Sequence, residues 1–239
     1  MLILALDTAG ENCAVALARA GDGLHVLARR CETIGRGHAE RLMPMIGEAL
    51  AEAGLGYGDL QRIVVTTGPG SFTGTRIGVA AARALALALS VPAVGVSVLD
   101  ALIEAARRAE AESLIVAALD ARRGEIYAKA VKSVGKPISN QGSGTILLAA
   151  QVTTVATLAG AIAKLNCGAV TLTGSVAASL ARMLGEAGIG AAIAGEAATV
   201  DILTVAALGS RSDAISPPVP LYLRPPDAKP QAGMAVARK

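Results

Sequence analysis

Two aspartates in this chain stand where an apolar run stops: Asp7 after Leu2-Ile3-Leu4-Ala5-Leu6, and Asp120 after Leu114-Ile115-Val116-Ala117-Ala118-Leu119. If both runs are strands of two similar halves, the carboxylates face each other across a cleft. A small-molecule kinase would use such a pair, with a phosphate-binding turn beside each acid. A third candidate for phosphate chemistry is the loop Gly68-Pro69-Gly70-Ser71-Phe72-Thr73-Gly74, between the apolar run 63–67 and the Ala/Leu-rich stretch Ile77 to Leu89. Glycine-rich loops that leave a strand and open a helix offer backbone N–H groups and a helix N-terminus to an anion. This loop nevertheless fails both nucleotide patterns. A Walker loop needs a lysine after its last glycine, whereas Thr75-Arg76 follows Gly74. A dinucleotide loop needs Gly-x-Gly-x-x-Gly and an acid at the end of the next strand, and Val94-Gly95-Val96-Ser97 supplies none. An anion here would rest on backbone amides alone; the other reading is a strand-to-helix connection whose glycines permit close packing.

Metal chemistry is short of ligands. The chain has two histidines, His25 and His38, and neither belongs to a His-x-x-x-His or His-Glu-x-x-His pair, which argues against a metalloprotease. Cys13, Cys31 and Cys167 have no Cys-x-x-Cys spacing and sit in apolar runs, as buried free thiols of a reducing cytosol would. One Phe, three Tyr and no Trp leave almost no platform for stacking bases, and the formal charge of +3 is scattered, so autonomous single-strand binding is not expected. The apolar N-terminus lacks a basic leader region, and the alanine-rich stretch 145–163 reads as a buried helix rather than a membrane span. The chain therefore reads as cytoplasmic, with no membrane partner.

The elements that must position these residues follow from periodicity. Short strands are expected at Leu2 to Leu6, Ala14 to Arg19 and His25 to Cys31. A helix from His38 to about Ala53 puts Leu42, Met45, Ile46, Ala49 and Leu50 on one face, with Pro44 as a kink or as its true start. A strand at 62–67, a helix at 75–89 and a strand at 93–97 complete the first half. The second half repeats the order: the strand ending at Asp120, a hairpin partner from Glu125 to Val131, a helix near 153–164, a strand from Val170 to Thr173 and a helix near 176–187. This implies two domains, 1–100 and 101–200, the first completed by a helix near 201–211. The proline-rich residues 216–239 are expected as an extended tail, lying on a surface or disordered, and not as an element of a core.

From Ile77 to Leu89 every residue except Arg83 is Gly, Ala, Val, Ile or Leu. A helix apolar nearly all round must be buried nearly all round, and one sheet face cannot bury both this helix and the one before it. His38, Leu42, Met45, Ile46 and Ala49 on the first helix, with Ile77, Ala81, Ala84, Leu85 and Ala88 on the second, are the candidate residues of a subunit interface.

The strings ILALDTA (3–9), GHAERLMP (37–44), TTGPGSFTGTRIG (66–78) and PLYLR (220–224) resemble the TsaB (YeaZ) family of tRNA threonylcarbamoyladenosine synthesis. The likeness covers the N-terminal half and the tail; from about 130 to 200 only the element order matches. It implies a duplicated actin/hexokinase/Hsp70-like (ASKHA) α/β fold, two similar domains with a cleft between them. It also implies a non-catalytic scaffold that pairs through its N-terminal helices with TsaD, and works with TsaE. The complex would use ATP to transfer threonylcarbamoyl to N6 of the adenosine beside the anticodon of ANN-decoding tRNAs. On this reading the chain itself binds no metal or cofactor, tRNA is met through the complex, and a homodimer stands in when TsaD is absent. Residue by residue, the metal pair of the catalytic paralogue is broken, because Leu42 stands four positions after His38. Arg122 and Arg123 occupy the turn after Asp120, where they could still meet an anion. Asp7, Thr8, Asp120 and Gly174 are what a residual nucleotide site would use, and Gly68 to Gly74 with Arg76 form the motif loop. An ATP-dependent small-molecule kinase is the alternative.

Overall fold

Alternation along two strands builds the molecule. The computed structural model describes residues 1–107, 112–134, 144–165, 168–213 and 216–224. In β1 (Leu2–Asp7), Leu2, Leu4 and Leu6 enter one core while Ile3 and Ala5 enter another, so the strand is buried on both faces. β1 pairs antiparallel with β2 (Asn12–Ala20), which pairs with β3 (Leu24–Thr33). On its other side β1 runs parallel to β4 (Arg62–Thr66), which pairs with β5 (Ala93–Val96), giving the order β3-β2-β1-β4-β5.

The second sheet repeats this pattern. β6 (Glu112–Asp120), β7 (Ile126–Val134), β8 (Thr145–Thr153), β9 (Val170–Thr173) and β10 (Ala191–Gly195) lie in the order β8-β7-β6-β9-β10. Leu114, Val116 and Ala118 face one core, and Ile115, Ala117 and Leu119 face the other. The duplication read from element order is thus a duplication of sheet topology.

Among the described residues, six α-helices cover the sheets. α1 (His38–Glu52) lies on β2 and β3, and α2 (Phe72–Leu89) on β1, β4 and β5; α4 (Val155–Lys164) and α5 (Ala177–Glu186) cover the second sheet in the same way. The last helix of each half is exchanged. α3 (Val98–Ala106), which follows β5, packs on β6, β7 and β9, whereas α6 (Ile202–Ser210), which follows β10, packs on β1, β2, β4 and β5. α3 has no counterpart among the expected elements, and it lies across the boundary read near residue 100.

Other readings are changed or narrowed. The stretch 145–163 is strand then helix: β8 forms because β7 offers it a partner, and the Thr154 Oγ1 accepts from Thr157 N (3.2 Å) to open α4. α2 begins at Phe72 rather than 75, because the Ser71 hydroxyl accepts from Gly74 N (3.1 Å) and caps it. Pro44 lies inside α1 and does not mark its start. Cys13 is buried, but Cys31, on edge strand β3, is exposed. Cys167 and tail residues 225–239 lie outside the described residues.

Candidate functional site

A cleft of about 920 Å³ opens between the halves, and both aspartates line it together with motif residues Pro69 to Thr73 and tail residues Leu221 to Arg224. The two acids meet different surroundings. Asp7 is 2% exposed. One of its oxygens, Oδ1, accepts from Thr66 Oγ1 (2.6 Å) and from Ala9 N (3.0 Å). Burial pushes its carboxyl above the usual range, with these hydrogen bonds and nearby His38 opposing. Asp120 is exposed; its Oδ1 accepts from Arg122 N (2.8 Å), and its own N–H donates to Ser175 Oγ (3.0 Å). The turn it opens is unlike the first: Arg122, Arg123 and Gly124 all have positive φ, at 64°, 57° and 77°.

The motif loop is packed on the turn after Asp7. Thr8 is fully buried and donates to the Gly74 carbonyl (2.7 Å), and Ser71 N donates to the Ala9 carbonyl (2.7 Å). A Cβ on Gly74 would stand 2.0 Å from the Thr8 carbonyl oxygen, and one on Gly70 2.2 Å from that of Ala9. No side chain fits in those gaps, so these glycines serve close backbone approach. Of the four residues named for a residual nucleotide site, Asp7 and Asp120 line the cleft; Thr8 is spent on the motif loop. Gly174 is buried at the end of β9, where a Cβ would stand 2.3 Å from the Ala118 carbonyl oxygen. Among the described residues no group of three or more His, Cys, Asp or Glu side chains is placed to hold a metal ion.

The candidate interface residues separate into two sets. His38, Leu42, Met45, Ile46 and Ala49 are buried under α1, and the four apolar ones belong to the first core, so in this conformation they offer no surface to a partner. This corrects their assignment: that face of α1 points at β2 and β3. On α2, Ile77, Ala81 and Leu85 are half-buried against the core, while Ala84 and Ala88 are exposed. Leu87, absent from the sequence-derived set, is 83% exposed. α2 is also the one helix among the described residues long and apolar enough to cross a membrane, yet its first turns are seated in the first core.

Sequence reasoning also missed what the exposed motif residues touch. The Arg76 guanidinium lies 3.6 Å from the centre of the Phe72 ring, its Nε donates to Tyr222 Oη (2.6 Å), and the two rings are 5.3 Å apart. The cluster joins the motif to PLYLR. The presence of both strings was a signal, but nothing in their spacing says that they meet.

Among solved structures, a ROK family protein from Streptococcus pneumoniae has a TM-score of 0.50 at 13% identity, covering 88% of this chain and 97% of that one. YeaZ from Pseudomonas aeruginosa has a TM-score of 0.65 at 26% identity, covering 88% and 92%. Repeated sheets, exchanged helices and the cleft between them give the chain the α/β fold of the actin/hexokinase/ROK-like (ASKHA) proteins. A family model described as TsaD: tRNA N6-adenosine threonylcarbamoyltransferase matches residues 31–188. The tRNA threonylcarbamoyladenosine biosynthesis protein TsaB of Escherichia coli is 40% identical over 127 residues, which is 53% of this chain and 53% of that protein. The chain thus spans about half the length of such curated relatives. An uncharacterized Mycobacterium tuberculosis protein is 36% identical over 234 residues, 96% of this chain and 95% of its own. The chain belongs to the TsaB (YeaZ) family, within the wider group that the family model describes.

Proposed function

We propose that this chain is a non-catalytic subunit in tRNA threonylcarbamoyl modification, pairing with a TsaD-class catalytic subunit through the outer face of α2. One observation carries the reading: α2 is apolar nearly all round, yet Ala80, Ala84, Leu87 and Ala88 face outward with only Arg83 among them. An apolar helix face left open after both cores are filled is surface that association would bury. The names of the relatives supply the reaction class and the partner. On this reading TsaE and ATP belong to the complex, tRNA is met there, and a second copy of the chain occupies α2 when the catalytic subunit is absent.

The cleft supports the same reading over a kinase. A general base must reach a substrate proton. Asp7 is instead buried and hydrogen-bonded to its own fold, and the turn after it is covered by the motif loop. The deciding experiment is light-scattering mass on a sizing column, for the chain alone and mixed with TsaD from the same source. A peak equal in mass to one copy of each is expected. Separate elution with ATP and TsaE present would overturn the proposal, and ATP turnover abolished by Asp7→Asn would replace it with the kinase.

A further inference from the structure

We infer that residues 216–224 are a strap that ties the two halves together at the cleft and sets how far it opens. This goes beyond the proposed pairing and does not depend on it. The segment is built for the task. Pro217, Pro218 and Pro220 hold the backbone extended, so little conformational freedom is lost when it docks. Its first attachments are to the first half. Pro218 is buried against Gly95, where an added Cβ would stand 3.2 Å from the Pro218 Cβ. Leu221 N donates to the Thr67 carbonyl (2.8 Å), just before the motif loop. Tyr222 is then held by Arg76 and Phe72.

The next two residues belong to the other half. Leu223 packs in the cluster that contains Ile115 and Leu119 of β6, and Arg224 pairs with the Glu125 carboxylate at the start of β7. Four consecutive residues, 221–224, therefore bridge from the end of β4 to the β6–β7 turn, lining the cleft throughout. The halves are also joined through the exchanged helices α3 and α6, which pack against each other. Paired domains joined by packed helices can rock or shear, and a short tether across their cleft limits that motion. The same contacts give a role to Phe72 and Arg76, the exposed side chains of the motif: they hold the strap.

Hydrogen–deuterium exchange on the full chain tests this, comparing wild type with Tyr222→Ala, Arg224→Ala and Glu125→Gln. The variants are expected to speed exchange roughly tenfold in both cleft walls, residues 68–74 and 119–125, with β1 and β6 still protected. Faster exchange confined to residues 217–224, with both walls unchanged, would make the strap a passenger and overturn the inference. So would wild-type exchange in all variants. Should Tyr222→Ala loosen β1 and β6 as well, the surface changes Arg224→Ala and Glu125→Gln decide between these outcomes.

Discussion

At the scale of residues, the acids that look equivalent in the sequence are made different by what surrounds them. Asp7 is held above its usual pKa of 3.8, so it favours the folded state when protonated. That contribution is complete below the unfolded value and is lost as pH rises through the higher folded one. Asp7→Asn keeps the Oδ1 acceptor for Thr66 and Ala9 while removing the charge. Its stability relative to wild type should therefore improve as pH is raised from about 4 to about 7. Urea unfolding at both pH values checks this; a constant gap would mean that Asp7 is not strained by burial. Gly74 is the second residue whose surroundings dictate a result. A methyl group there would overlap the backbone carbonyl oxygen of Thr8 at 2.0 Å, with the Ser71 Oγ at 3.2 Å. Gly74→Ala should cost about 3 kcal/mol or more by the same measurement, far beyond what helix propensity would suggest, since Ala is the better helix former.

Among the elements, α1 and α2 show why an apolar helix is an ambiguous signal. Both carry apolar faces, but α1 spends its face on β2 and β3, whereas α2 leaves part of its own in solvent. Opposite consequences follow for two apolar substitutions. Ile46→Ala, at a fully buried position, should lower stability by about 2–5 kcal/mol through the cavity it leaves. Leu87→Glu, at a position 83% exposed, should leave stability within about 0.5 kcal/mol. If α2 is the pairing face proposed above, it should nevertheless weaken binding to TsaD by about 2 kcal/mol or more, as a charge in the middle of an apolar contact does. Thermal melts and sizing-column titrations separate the two effects. Pairing that tolerates Leu87→Glu would move the interface away from α2.

At the scale of the whole molecule, exchange of the last helix in each half makes the two cores interdependent. α6 follows the second sheet in sequence but completes the burial of Ile3, Ala5 and Val64 in the first, and α3 does the same for Ile115 and Ala117 in the second. Neither sheet has both faces covered by its own half of the chain. The cleft is formed by the remaining edges of this arrangement, with the motif loop on one wall, the β6–β7 turn on the other and the tail between.

Several features could be read from the sequence alone because they are local and periodic. The strands ending at Asp7 and Asp120, the course of α1 and the repeat of element order follow from alternation, helical periodicity and turn residues. The motif strings carried the family resemblance. Tertiary structure decided the rest. β8 is a strand because β7 lies beside it, and the same residues taken alone read as helix. Which apolar face of α1 or α2 stays open depends on how much sheet each helix finds beneath it. Whether Asp7 is a reagent or a strut depends on Thr66, 59 residues away, whose hydroxyl reaches it at 2.6 Å. Packing between distant segments sets exposure, partner and protonation, and periodicity records only which face of an element is apolar.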